Sequence, residues 1–165
     1  MKHLSRRTAL MILSSFTVAA CSGGRPDETV TSSTSAGSFK PPLYPNETPE
    51  LRALINKWAD HYKIPRELVH RQAVRESTHR PWARNGPYWG LLQILPQTAR
   101  TMGHRGPAKE LLNPDVNLKY AGKYLRGAYI VAGGNIDMAM KWYARGYYYE
   151  AKRLGLLVET GLRPG

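Results

Sequence analysis

Val74-Arg75-Glu76-Ser77-Thr78-His79-Arg80-Pro81-Trp82-Ala83-Arg84-Asn85-Gly86-Pro87-Tyr88-Trp89-Gly90-Leu91-Leu92-Gln93 is the stretch around which the remaining sequence is arranged. It places a carboxylate at the end of a helical segment, follows it with an aromatic, turn-rich loop, and closes on a glycine-led apolar run. On an ideal helix of about 100° per residue, Pro65 to Ser77 gathers Leu68, Val69, Gln72, Ala73 and Glu76 on one side. His70, Arg71, Arg75 and Glu67 fall outside that stripe. A charge in the stripe is costly unless it is paired or neutralised, and the negative end of the helix dipole opposes ionisation further. Both effects raise the pKa of Glu76. The helix alone still favours a glutamate that reaches solvent or pairs with an arginine, so the decision rests on residues further along.

On either side of this stretch the pattern stays helical. Thr48 followed by Pro49 makes a helix start, and Leu51, Leu54, Ile55, Trp58 and Tyr62 follow at helical spacing. Downstream, short helices are expected over Pro96 to Met102 and Ala108 to Leu112. A long one capped by Asp115 runs to Ala132 and ends at Gly133-Gly134. Gly122 and Gly127 inside it each cost about 1 kcal/mol against alanine, which close approach by another helix or by substrate would justify. Asn135 caps a helix through Arg145, and Tyr147 to Leu154 forms the last. No stretch alternates with period two, so the domain is expected to be all-α, a single folded unit over 48–155 with a tail over 156–165.

The N-terminus fixes the compartment. Lys2, Arg6 and Arg7 precede the apolar run Ala9 to Ala20 and then the only cysteine, Cys21, which reads as a secretory signal over 1–20. Val18-Ala19-Ala20-Cys21 resembles the bacterial lipobox, where cleavage exposes the cysteine and a lipid anchors it. A lone cysteine in an exported chain has no internal disulfide partner. Residues 21–47, rich in Ser, Thr, Gly and Pro, read as a tether from that anchor, with a reach on the order of 25–30 Å. The formal charge is +12. It falls to about +9 once Lys2, Arg6 and Arg7 leave with the signal. For an exported protein this excess points to cell-wall or membrane anions rather than nucleic acid.

Four segments then carry a resemblance. Glu76-Ser77; Gly90-Leu91-Leu92-Gln93-Ile94-Leu95-Pro96-Gln97-Thr98-Ala99 with Gly103; Asn113-Pro114-Asp115-Val116-Asn117-Leu118; and Tyr124-Leu125 together resemble the lytic transglycosylase domain of the soluble-lytic-transglycosylase, goose-lysozyme-like family, with Tyr143 at the tyrosine of that family's A-Y-N-A-G segment. The likeness covers roughly Leu51 to Gly146. It implies a lysozyme-like helical domain that cleaves the β-1,4 bond between N-acetylmuramic acid and N-acetylglucosamine in peptidoglycan, leaving a 1,6-anhydro ring. It implies Glu76 as acid and then base, with Gln93, Tyr143, Ser77 and Gly90 as substrate-side residues; Tyr88, an aromatic of the loop, is a candidate to stack on a sugar face. No cofactor is implied. Most glycosidases use two carboxylates, but Asp115 and Asp137 stand at helix starts and Glu110 has no motif around it. Stabilisation by the substrate's acetamido group needs no second acid.

The chain departs from the family pattern at Arg84, Pro87-Tyr88 and Ala144. A hydrolytic muramidase and a non-catalytic peptidoglycan-binding lipoprotein are the alternatives. His61, His70, His79 and His104 show no ligand spacing, so no metal is expected. The expected partners are glycan strands and, through Cys21, a membrane. The domain itself is expected to be a monomer on the periplasmic face of the outer membrane.

Overall fold

A computed structural model describes residues 42–165; the signal segment, Cys21 and most of the tether lie outside the described residues. The elements in chain order are α1 (Pro49–Tyr62), α2 (Arg66–Ser77), β1 (Arg84–Asn85), β2 (Tyr88–Trp89), α3 (Pro96–Thr101), a 3-10 helix (Ala108–Leu112), α4 (Pro114–Val131), α5 (Ile136–Arg145) and α6 (Tyr148–Arg153). The domain is mostly helical, with six α-helices and a minimal hairpin among the described residues, and is consistent with the lysozyme-like fold expected.

Local chemistry sets the helix ends. Thr48 Oγ1 accepts from the Leu51 N–H at 3.2 Å with Pro49 in the first turn, the pairing that supplies one orphan amide with a partner and spares another. At its far end, Lys63 takes a left-handed conformation (φ 53°) and Ile64 N–H returns to the Ala59 carbonyl at 3.0 Å, so the chain reverses into α2 without a glycine. The long helix α4 starts differently from expectation. Asn113, not Asp115, is its cap, accepting from the Asp115 and Val116 amides, because Pro114 fills the first helical position. Asp115 instead receives hydrogen bonds from Trp58 Nε1 at 2.8 Å and Lys57 Nζ at 3.1 Å, which tie α4 to α1.

The core lies where α4 meets α1, α3, the 3-10 helix and α5. Leu118, Ala121, Leu125 and Ala128 of α4 share one buried cluster with Ile55, Leu68, Leu91 and Leu92, all of them fully buried. Each such leucine or isoleucine contributes about 1.5–3 kcal/mol through burial. The two α4 glycines make room for aromatic side chains. A Cβ on Gly122 would stand 3.1 Å from the Tyr62 ring, and one on Gly127 would stand 2.1 Å from the Tyr147 hydroxyl. That hydroxyl donates to the Tyr124 carbonyl at 2.9 Å, so the cost of Gly127 in the helix is offset by a satisfied, buried phenol.

Two boundaries differ from the sequence reading. Residues 156–165 are not a free tail: Leu157 and Thr160 are buried, and Arg126 of α4 donates to the Glu159 carbonyl at 2.9 Å. The tether stops before residue 47, because Tyr44 and Glu47 pack onto α2. The loop between Ser77 and Trp89 also carries the hairpin β1–β2, turning at Gly86 (φ 56°) and pairing Arg84 with Trp89. Strands of two residues are too short to show alternation.

Candidate functional site

One tight turn, Gly90 to Gln93, organises the site. Gln93 N–H closes it onto the Gly90 carbonyl at 3.1 Å, and both end residues have positive φ, 77° and 47°. Three side chains from three different helices then hold its backbone. Ser77 at the end of α2 donates its hydroxyl to the Leu91 carbonyl at 2.7 Å. Asn117 of α4 accepts from the Leu92 amide at 2.9 Å and donates to the carbonyls of Trp89 and Leu111, each at 2.9 Å. Tyr143 of α5 donates to the Leu92 carbonyl at 2.8 Å. Three of the sequence segments that carried the resemblance, and Tyr143, therefore meet on a single turn.

Two of the expected substrate-side residues have work within the turn itself. Ser77 is buried, with its hydroxyl also accepting from the Arg80 amide at 3.2 Å, and braces the turn from beneath rather than lining the cleft. Gly90 is required by the protein itself: a Cβ there would stand 2.0 Å from the Leu111 carbonyl oxygen and 2.3 Å from Asn117 Nδ2. Asn117 carried no assigned role in the sequence, although it stands inside one of the quoted motifs.

Beside the turn lies an open cleft of about 670 Å³. Its lining brings together Glu76, Gln93, Tyr143, Tyr88 and two of the positions flagged from sequence for other reasons, Ala144 and Gly146. Glu76 is the only carboxylate among the lining residues; Asp115 is engaged with Trp58 and Lys57, Asp137 with Arg71, and Glu110 with His104. Arg75 and Arg145 supply positive charge on the same cleft. Tyr88 is 43% exposed there, whereas Arg84 lies over the Trp89 ring at 4.2 Å and stays off the cleft.

The Glu76 carboxyl is held by burial above the ordinary carboxylate range, an effect that the Arg75 guanidinium, 3.9 Å away, only partly opposes. Its nearest polar partner is Gln72, one turn back on α2 and fully buried, whose Nε2 donates to Glu76 Oε1 at 2.7 Å. The other atom of that amide, Oε1, is buried with no hydrogen-bond partner. Amide orientation is interchangeable on geometric grounds, so Gln72 can donate to the carboxylate or, turned over, accept from the carboxylic acid. It thus matches both protonation states. The signal for it was in the sequence, a glutamine four residues before Glu76 on the same face.

Tyr143 is buried under the site, and its hydroxyl is pushed well above its usual pKa by burial first and then by the charge of Glu76, so it remains a neutral donor. Its proton goes to Leu92 rather than to the carboxylate. Gln93 donates its amide nitrogen to the Gly90 and Ala83 carbonyls at 2.8 and 3.1 Å, which leaves its oxygen as the remaining hydrogen-bonding atom.

A second polar group sits behind the end of α2. His70 and His79, which sequence spacing did not connect, are buried together with Glu47, their ring and carboxylate atoms within hydrogen-bonding range. His70 is covered because Tyr44 stacks on both imidazoles, not because it joins the apolar stripe. Burial lowers the pKa of both histidines, that of His70 to about 4. For Glu47 burial acts upward, but hydrogen bonds from Arg52 and the Tyr44 amide and the nearby imidazoles outweigh it and leave the carboxyl low.

No solved structure matches the chain. The family model described as the transglycosylase SLT domain matches residues 53–154, well over half of the sequence and nearly all of the helical domain. With Glu76, the Gly90–Gln93 turn, Asn117 and Tyr143 all inside the matched span, the chain belongs to the transglycosylase SLT domain family.

Proposed function

We propose that this protein is a peptidoglycan lytic transglycosylase that cleaves the β-1,4 bond between N-acetylmuramic acid and N-acetylglucosamine, with Glu76 acting first as acid and then as base. The observation that carries this reading is a cleft lined by a single carboxylate, its pKa raised by burial and its oxygen braced by a fully buried amide. A hydrolase with two flanking carboxylates needs a second one across the cleft, and the three other candidates are engaged elsewhere.

The chemistry then runs on one group. Glu76 gives its proton to the glycosidic oxygen as the bond to muramic C1 breaks, and N-acetylglucosamine departs with a neutral hydroxyl. Positive charge developing at C1 is shared with the oxygen of the substrate's own acetamido group. The carboxylate takes the proton from the muramic C6 hydroxyl while that oxygen bonds to C1, closing the 1,6-anhydro ring and restoring the acid. No water is consumed. Gln72 follows the carboxyl through both states, and Arg75 and Arg145 give the cleft a positive field suited to the acidic peptides and lactyl groups of the wall.

Mass spectrometry of digested murein tests this. Anhydromuramic ends are expected with the wild-type protein and none with Glu76→Gln; reducing ends would instead identify a hydrolase, and unaltered cleavage by the variant would remove Glu76 from the chemistry. We place the protein in the cell envelope, tethered through lipidated Cys21 on the periplasmic face of the outer membrane. Cys21→Ala should then release it from membranes, and continued attachment would defeat the anchor.

A further inference from the structure

The buried group behind the end of α2 has the geometry of a metal site. His70 Nδ1 stands 3.4 Å from His79 Nε2 and 3.3 Å from Glu47 Oε1, and His79 Nε2 stands 4.0 Å from the same oxygen. The circle through three points so spaced has a radius of about 2.1 Å, so one ion can lie within bonding distance of all three atoms. That radius falls in the range of zinc bonds to imidazole nitrogen and carboxylate oxygen, about 2.0–2.2 Å. The side chains are 10%, 0% and 0% exposed for His70, His79 and Glu47, so the three donors are fixed by packing rather than brought together by chance on a surface.

Proton counting favours a cation. His70 Nε2 faces the Asn56 side-chain oxygen at 3.2 Å; donating there leaves Nδ1 as a lone pair directed toward the group. Glu47 Oε1 is also an acceptor. Three inward-facing atoms then share at most one proton, that on His79 Nε2, and one hydrogen bond serves two of them at best. A divalent ion serves all three. The remaining contacts are of the kind that orient ligands: Arg52 donates to Glu47 Oε1 at 3.1 Å and to Oε2 at 2.6 Å, and the Tyr44 amide donates to Oε2 at 2.9 Å. Two nitrogens and one oxygen suit zinc rather than calcium or magnesium, which take oxygen ligands.

We infer that Glu47, His70 and His79 form a three-ligand zinc site that fastens the segment leaving the tether to the end of the helix bearing Glu76. The segment is already docked there by Tyr44 stacking and by Asn46, which donates to the Thr78 carbonyl at 3.0 Å. The ion adds a bond that spans the tether side, the middle of α2 and the turn three residues beyond Glu76. This inference stands independently of the proposed reaction.

Tag-free protein, stripped with chelator and titrated with zinc chloride alone, tests it. One zinc per chain by elemental analysis is expected, with a thermal midpoint that rises with free zinc as mass action requires. Cobalt in its place should give the visible bands of a low-symmetry site. His79→Gln and Glu47→Gln should each weaken zinc binding by at least about a hundredfold, while His61→Gln, on the exposed face of α1, leaves it unchanged. Should His79→Gln fail to fold, Glu47→Gln, which keeps the shape of the side chain, carries the comparison. Absence of stoichiometric uptake with an unmoved midpoint, or uptake indifferent to both ligand substitutions, overturns the inference.

Discussion

Replacing Asn117 by alanine tests how the site is held. The side chain is fully buried and satisfies three backbone groups. Their losses are unequal. The Trp89 carbonyl keeps a second donor, the Ile94 amide at 3.1 Å, so it stays paired. The Leu92 amide and the Leu111 carbonyl depend on Asn117. Two buried groups left unmatched cost about 1–3 kcal/mol each, and the vacated volume adds to this, giving about 3–5 kcal/mol in all. For a domain of this size that is a fall in thermal midpoint on the order of 10–20 °C. Urea unfolding followed by circular dichroism measures it. An isosteric companion sharpens the test. Asn117→Asp keeps an acceptor for Leu92 but turns an oxygen toward two carbonyls, so the folded state favours the protonated acid and raises its pKa. Its stability should be greatest in acid and fall as pH rises through that folded value. A loss below about 1 kcal/mol for the alanine variant, or no pH slope for the aspartate variant, would refute the claim that Asn117 holds the turn.

Three further outcomes follow from the same geometry. Because burial raises the Glu76 pKa in the folded state, its ionisation opposes folding; Glu76→Gln should melt higher than wild type above the unfolded carboxyl pKa, with the gap closing as the solution is acidified, and scans across pH will show whether it does. Gln72→Leu removes a donor that favours the carboxylate, so the basic limb of the murein-cleavage profile should move to higher pH; a limb that stays put counts against the pairing. Tyr143→Phe deprives the Leu92 carbonyl of a buried donor, and a stability loss of about 1–2 kcal/mol by denaturant titration is expected.

Much of this architecture was legible because it depends on local chemistry. Thr48 with Pro49, the stripe around Glu76, and Asn135 before α5 each act within one turn of helix. What stayed hidden depends on partners distant in sequence. The reason for Gly90 lies in the Leu111 carbonyl, and the work of Asn117 lies in the turn that its helix faces. His70 read as a polar position away from the core, since nothing in a helical wheel shows that Tyr44 and Glu47 will fold back over it. The cap of α4 was misplaced by two residues because Pro114 outranks Asp115 for the first helical position.

The shared target of Ser77, Asn117 and Tyr143 has a consequence for sequence change. All three grip adjacent backbone groups of one turn, so their contributions are coupled: once one grip is lost and the turn relaxes, removing a second costs less than it does in the intact protein. Double substitutions should therefore be milder than the singles imply. Variation is accordingly constrained at the first change and freer afterwards, which makes this turn a threshold in the sequence space open to the domain rather than a gradual slope.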